Sequence, residues 1–276
     1  MTQTIDFKFG SLIRTGPKLV NGGKWDAELI EWHRNATTNA DLLINIRVYF
    51  QRIDPVSGTK GTYPDSDTGK VTDKTTGATG PLKTIIAWKP HEFDHFVTRS
   101  LTTAQRFWSG VFWLKTPNSY HGLDWPDKAA THRCNVFCKL TLSRAMSAAH
   151  AHYTIAVVRV PDSEFFRSNS RLYSQKDIQS EQMIPGSTRK FFTHFHEVGH
   201  LLGLGHVGWH GHRNLHDNDP KAYGVTLHDM SDVMGRGTAI HEWHATPWRE
   251  AVATFTNTDR NQWKVSLRKH VLPERL

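Results

Sequence analysis

The sequence predicts an α+β (mixed α/β) fold, and three observations carry that expectation. Leu42–Ile53 in part and Arg133–Leu142 alternate apolar and polar residues, the period of a half-buried strand, and Tyr153–Val160 reads as a further strand. From Pro90 to about residue 109, Phe93, Phe96, Val97, Leu101, Ala104, Phe107 and Trp108 form one broad stripe at helical spacing. Helical spacing then returns twice in the last third, around 191–202 and 247–255, across an irregular stretch rich in His, Gly and Asn. With 276 residues, 38% of them hydrophobic, and 10 Trp and 14 Phe, the chain can bury a sizeable core. We read residues 1–276 as a single domain.

The elements follow in order. Residues 1–40 are mixed, with short strands expected at Ile5–Phe9 and Glu28–His33. After the strand Leu42–Ile53, residues 54–83 form a long loop of Gly, Thr, Ser, Asp and Lys that joins two short strands, one of them Ile85–Trp88. Asp65, Asp67 and Gly69 in that loop match a calcium-binding loop only in part; a turn is the stronger reading and structural Ca2+ the weaker one. The helix from Pro90 leads to a strand at Val111–Leu114 and a loop at 116–131. The strands Arg133–Leu142 and Tyr153–Val160 flank a small-residue linker at 147–151. Residues 161–186 are polar and irregular, and the basic tail 258–276 is expected to pack poorly. No internal repeat is evident.

Composition excludes several functions. No run approaches 18 apolar residues, so no membrane span is expected. The net charge is +8, but Lys and Arg are dispersed, and neither a block of five like charges nor a nucleic-acid signature occurs. The charge therefore reads as a basic surface, with no nucleic acid partner. The first ten residues show neither a basic n-region nor an apolar h-region. Secretion or delivery by a route other than a signal peptide is the expectation, with a cytoplasmic location as the alternative, and a monomer is expected. Cys134 and Cys138 fall on one strand, where four residues span about 13 Å, too far for a disulfide. Two reduced, partly buried thiols are the favoured reading, and a bridge across a bulge is the other. His132 beside Cys134 is a weak hint of a second metal site.

Residues 196–206 are the most informative stretch, with His196, Glu197, His200, Gly203 and His206. On a helix, residues four apart lie about 6 Å along the axis on nearly one face. His196 and His200 can therefore share one metal ion, with Zn–N of about 2.0–2.1 Å. Glu197 sits too far round to be a ligand, but it can take a proton from a water that the metal activates. Gly203 tolerates positive φ, so the helix can stop and swing His206 back to the same ion. Phe191, Phe195, Val198 and Leu202 fall on the opposite stripe, and Ser187 or Thr188 is the expected N-cap. His194, His210, His212, His216, His228, His241 and His244 crowd the same region. His210 is the nearest rival to His206 as third ligand but lacks its spacing from Gly203. Asp232 is a candidate acceptor for an imidazole N–H.

The stretch resembles the active-site motif of the metzincin clan of zinc endopeptidases, H-E-x-x-H-x-x-G-x-x-H followed by a Met-turn. Every fixed position from His196 to His206 matches. The Met-turn candidate is Met234, in the sequence Ser231, Asp232, Val233, Met234, Gly235; Met230 is its rival and lacks the following glycine. A helix should follow, and Pro247 opens one with Trp248, Ala251, Val252 and Phe255 at helical spacing. The close resemblance covers roughly residues 187–257 and assigns no subfamily.

The resemblance implies a twisted, mostly parallel sheet with helices in an N-terminal subdomain, 1–203, that ends with the active-site helix. A smaller, irregular C-terminal subdomain, 204–276, would carry the third ligand, the Met-turn and the final helix, with a cleft between the two. It implies one catalytic Zn2+ on His196, His200 and His206, Glu197 as general base, Met234 as a hydrophobic floor, and a protein or peptide substrate. Some members place a tyrosine two residues after that methionine; here Arg236 stands there, either a substrate or transition-state contact or a solvated surface group. The expected activity is zinc-dependent endopeptidase. The alternatives are a secreted or injected toxin or effector protease, and a catalytically silent metal-binding module.

Overall fold

The computed structural model describes residues 14–15, 24–31, 40–66, 82–123, 135–178, 182–183, 190–210 and 220–268. Their strands and helices are β1 (Arg14–Thr15), β2 (Asp26–Glu31), β3 (Ala40–Arg52), β4 (Lys60–Tyr63), β5 (Lys83–Ile86), α1 (Pro90–Trp108), β6 (Phe112–Lys115) and β7 (Asn135–Arg144). There follow β8 (Tyr153–Val158), β9 (Leu172–Ser174), β10 (Gln182–Met183), β11 (Lys190–Phe191), α2 (Thr193–Leu201), α3 (Leu227–Ser231), α4 (Thr246–Thr256) and β12 (Lys264–Leu267). The fold is mixed α+β, with the chain forming two compact units.

One unit comprises Met1–Ile46, Gln105–Thr141 and Ile240–Pro273. Its strands run in the order β1, β2, β3, β7, β6, β12. The alternation read from the sequence is the burial pattern of β3: Leu42, Ile44, Ile46, Val48 and Phe50 are buried, and Leu43, Asn45, Arg47 and Tyr49 are half-buried. Antiparallel β2 sets Leu29 opposite Leu42 and Ala27 opposite Ile44, so small and large apolar residues meet on one face. Cys138 on β7 carries a free, buried thiol, and burial with the nearby Asp41 charge pushes its pKa up. Cys134, His132 and the strand expected at Ile5–Phe9 lie outside the described residues.

Helix α4 begins as expected, with proline in its first turn. Trp248, Ala251 and Val252 are buried, Trp248 Nε1 donates to Lys139 O at 2.8 Å, and its ring lies 5.4 Å from Phe112. The left-handed Asn257 (φ 52°) ends the helix, its N–H bonding Ala253 O. The stretch expected to pack poorly is described only to Arg268, and that part is tied to the sheet. Residues 264–267 form β12 against β6, and Trp263 is buried with Nε1 donating to Thr258 Oγ1. The strand went unread because only Val265 and Leu267 mark its alternation.

The other unit comprises Arg47–Ala104, Leu142–Ala239 and Glu274–Leu276. The end of β3 pairs parallel with β8, and β8 pairs parallel with β9. The connection from β3 to β8 holds a helix, as a parallel crossover requires. The pairs β1–β2, β2–β3, β6–β7 and β6–β12 are antiparallel. Strand β9 lies inside the stretch expected to be irregular and, at three residues, is too short to show a period. Phe93, Phe96 and Val97 of α1 are buried, with Phe96 ring-to-ring at 6.2 Å from Phe50 and 5.8 Å from Trp88. The 54–83 stretch joins β4 to β5 as an antiparallel pair. Asp65 in that stretch is buried and accepts from the Arg167 N–H at 3.4 Å; Asp67 and Gly69 lie outside the described residues.

Replacing Trp248 by Ala removes a fully buried indole and strands the Lys139 carbonyl. We expect the Trp248→Ala protein to lose about 3–5 kcal/mol of unfolding free energy. A urea midpoint within error of the parent would contradict this packing.

Candidate metal centre

All residues of the candidate centre belong to the second unit. Helix α2 is buried almost all round: Thr193 to Gly199 and Leu201 are buried, and only His200 is half-buried. Phe195, Val198, Leu201 and Leu202 supply its apolar side. The helix starts later than its periodicity implies, with Phe192 at the N-cap and no side-chain cap. Phe191 therefore belongs to β11 and not to the helix, while Ser187 and Thr188 lie outside the described residues. Two bonds tie α2 down. The His194 ring donates from Nε2 to Ser100 O at 2.6 Å, and Tyr153 OH donates to Leu201 O at 2.8 Å.

The C-terminal end of α2 is a Schellman turn. Gly203 has φ 95°, its N–H bonds His200 O, and the Leu204 N–H reaches back to Gly199 O, both at 3.0 Å. A side chain at 203 would be strained in that conformation. The turn aims the Leu204 carbonyl at His200 Nδ1, 2.8 Å away. His196 Nδ1 lies 2.8 Å from Val233 O. A carbonyl only accepts, so both rings carry their proton on Nδ1 and present a bare Nε2 lone pair.

Those lone pairs converge. The Nε2 atoms of His196, His200 and His206 lie 3.1, 3.1 and 3.2 Å apart. Tetrahedral coordination at about 2.0–2.1 Å demands N···N separations of about 3.3 Å, close to this triangle. The three rings can hold a metal ion, and no other group of three or more His, Cys, Asp or Glu among the described residues can. Burial, the neighbouring His200 and His206, and the opposing Val233 bond leave His196 well below its ordinary pKa. Burial and His200 bring His206 down to about 3. Neutral imidazoles are what a metal requires.

The turn at 231–235 braces the centre from behind. Its carbonyl at Val233 holds His196, and its carbonyl at Met234 accepts the Val207 N–H, next to the third ligand, at 3.2 Å. At His196 it is the peptide oxygen of Val233 that takes the imidazole N–H, and Asp232 Oδ1 takes the Met234 N–H at 2.6 Å. Of the two methionines, Met234 is fully buried and Met230 is half-buried on α3. Gly235 is required by close approach, since a Cβ there would lie 2.2 Å from Asp229 O.

The remaining residues sort by position. Glu197 is buried beside the first ligand; its charge adds to burial in pushing the Tyr173 phenol up. His194 is a core histidine, buried with Nδ1 unpartnered among the described residues. His228 is exposed on α3. His241 and His244 belong to the first unit, where His244 stacks 3.9 Å from Trp243. His212, His216 and the side chain of His210 lie outside what is described.

Sequence reasoning missed Tyr223. Its ring lies 4.3 Å from that of His206 and stacks at 5.8 Å on that of His196. Arg236 holds its guanidinium carbon 5.6 Å from the same ring. The only signal for Tyr223 was an aromatic residue followed by glycine in an otherwise polar loop.

Comparison with protein-family models, with characterised proteins and with solved structures finds no match. The geometry of the centre therefore carries the functional argument.

The purified protein should take up one divalent ion per chain, and His206→Ala should abolish tight uptake. Metal analysis showing equal content in both would remove His206 from the ligand set. Burial also brings His194 down to about 4 in the folded, metal-free protein, against about 6.5 unfolded. Above pH 6.5 the ring is neutral in both states and carries no penalty. As pH falls from 6.5 towards 4 the unfolded chain gains a proton that the folded one refuses, so stability is lost over that window. An NMR titration of the His194 ring with a midpoint near 6.5 would contradict this.

Proposed function

We propose that the protein is a zinc-dependent endopeptidase resembling the metzincins. The observation that carries this reading is the convergence of the three Nε2 atoms at 3.1–3.2 Å, with Glu197 next to the first ligand. When bound, zinc supplies a Lewis acid and lowers the pKa of a water towards about 7. Three neutral imidazoles leave its double charge uncompensated, which favours that role over a purely structural one. The carbonyls of Val233 and Leu204 fix the orientation of the first two rings.

Glu197 is the general base. It takes a proton from the attacking water and passes it to the leaving amine as the peptide bond breaks. Its burial keeps the carboxylate away from bulk water, where it would be solvated rather than poised. Met234, buried in the turn that holds His196, is the apolar floor that the resemblance implies. The same resemblance has the substrate extended along a sheet edge, main chain to main chain, which selects protein over small-molecule substrates.

The zinc-loaded protein should cleave an unbiased protein mixture, and Glu197→Ala should reduce cleavage by about 100-fold or more at unchanged zinc content. Identical fragment patterns and rates from the two proteins would overturn the mechanism. Stoichiometric zinc without any cleavage would favour a silent metal-binding module.

A further inference from the structure

We infer that Arg236 is a carboxylate-recognising residue of the centre, so that the preferred peptide carries a carboxylate beside the scissile bond. The inference rests on the peptidase reading of the same site. Arg236 follows Gly235 directly, and the turn lies close enough to the Tyr223 segment that a Cβ at 235 would come within 2.9 Å of Tyr223 O. On the ligand side, a Cβ at Gly208 would fall 2.0 Å from Lys221 O. Tyr223 is thereby fastened to the loop after His206 and to the turn behind it. Its ring touches two of the three histidines, and Arg236 rides on that ring.

The cation is half-buried and has no hydrogen bond or ion pair among the described residues. The acidic residues of its own segment are turned elsewhere. Asp229 accepts from the Thr226 N–H while its own N–H bonds Thr226 Oγ1, and Asp232 takes the Met234 N–H. A guanidinium presents a planar fork of N–H donors that matches a carboxylate bidentately. Held by a cation–π contact one ring away from the metal ligands, the fork is available to an anion bound at the centre. Two sources supply that carboxylate: an acidic side chain next to the scissile bond, or the free C-terminus of a short peptide.

The test uses the full chain loaded with zinc. Calorimetry on the Glu197→Ala protein measures peptide binding without turnover, and cleavage by the Glu197 protein measures kcat/KM. One pair of amidated peptides differs only as Glu against Gln near the scissile bond; a second pair differs only as free against amidated C-terminus. A preference of about 10- to 100-fold for the carboxylate member of at least one pair is expected. Arg236→Gln should bring that ratio close to one, and Arg236→Glu should invert it towards a Lys-containing peptide. Arg236→Lys, which keeps the charge without the fork, should retain only part of it.

No preference in either pair, by binding or by cleavage, would overturn the inference. A ratio that survives Arg236→Gln while both members fall equally would also overturn it, marking Arg236 as a transition-state or structural group. Carboxylate-selective binding that depends on Arg236 without any cleavage would leave this inference standing and remove the peptidase reading.

Discussion

Two hydrogen bonds, His196 Nδ1 to Val233 O and His200 Nδ1 to Leu204 O, set the orientation of two rings of the histidine triad. Each fixes a tautomer, because peptide oxygens cannot donate. Once both protons are on Nδ1, two bare Nε2 lone pairs must face each other 3.1 Å apart in a buried place. Two lone pairs so placed are the arrangement that a divalent ion converts into bonding. Because a preformed site of this kind exists only in the folded chain, binding of an ion there would add to stability.

The rest of the unit maintains those two carbonyls. Leu204 O is aimed by the Schellman turn, which in turn depends on φ 95° at Gly203. One glycine thus serves two ligands: it holds the ring of His200 and redirects the chain towards His206. Val233 O is aimed by a turn whose own backbone is tied at Asp232 Oδ1 and at the Val207 N–H. The helix between them is anchored by His194 to Ser100 and by Tyr153 to its last carbonyl. Burial of nearly every α2 side chain makes the helix a fixed platform, and metal ligands need positions held to about half an ångström.

Legibility in the sequence followed the length scale of each interaction. The strands β3, β7 and β8 and the helices α1 and α4 announce themselves by period, because one face of each is buried along its whole length. The histidine triad was legible because His196, His200 and Gly203 are local to one helix and its cap, and His206 follows three residues later. What was not legible depends on distant pairing. β9 and β12 are three and four residues long and exist through their neighbours β8 and β6. Asp232 and Val233 are adjacent in sequence, and only the fold decides whether a carboxylate or a peptide oxygen meets His196. Phe191 fits the helical stripe yet sits in β11, since a stripe cannot show where a helix begins without a cap.

Tyr223 and Arg236 show how such distant pairing adds charge to the centre. Burial disfavours the charged form of His196 and of His206, and Glu197 acts on its surroundings as a negative group. An arginine placed outside the fold's ion pairs would ordinarily extend into water, where its guanidinium is solvated and contributes little. Here the aromatic face of Tyr223 gives it a reason to stay, worth about 0.5–1 kcal/mol at an exposed site and more when desolvated. Tyr223 is itself held against the ligand rings, so the position of the cation is coupled to that of the metal site. A fixed positive group beside a metal biases the site towards anionic partners, and it does so through side-chain packing that no local motif records.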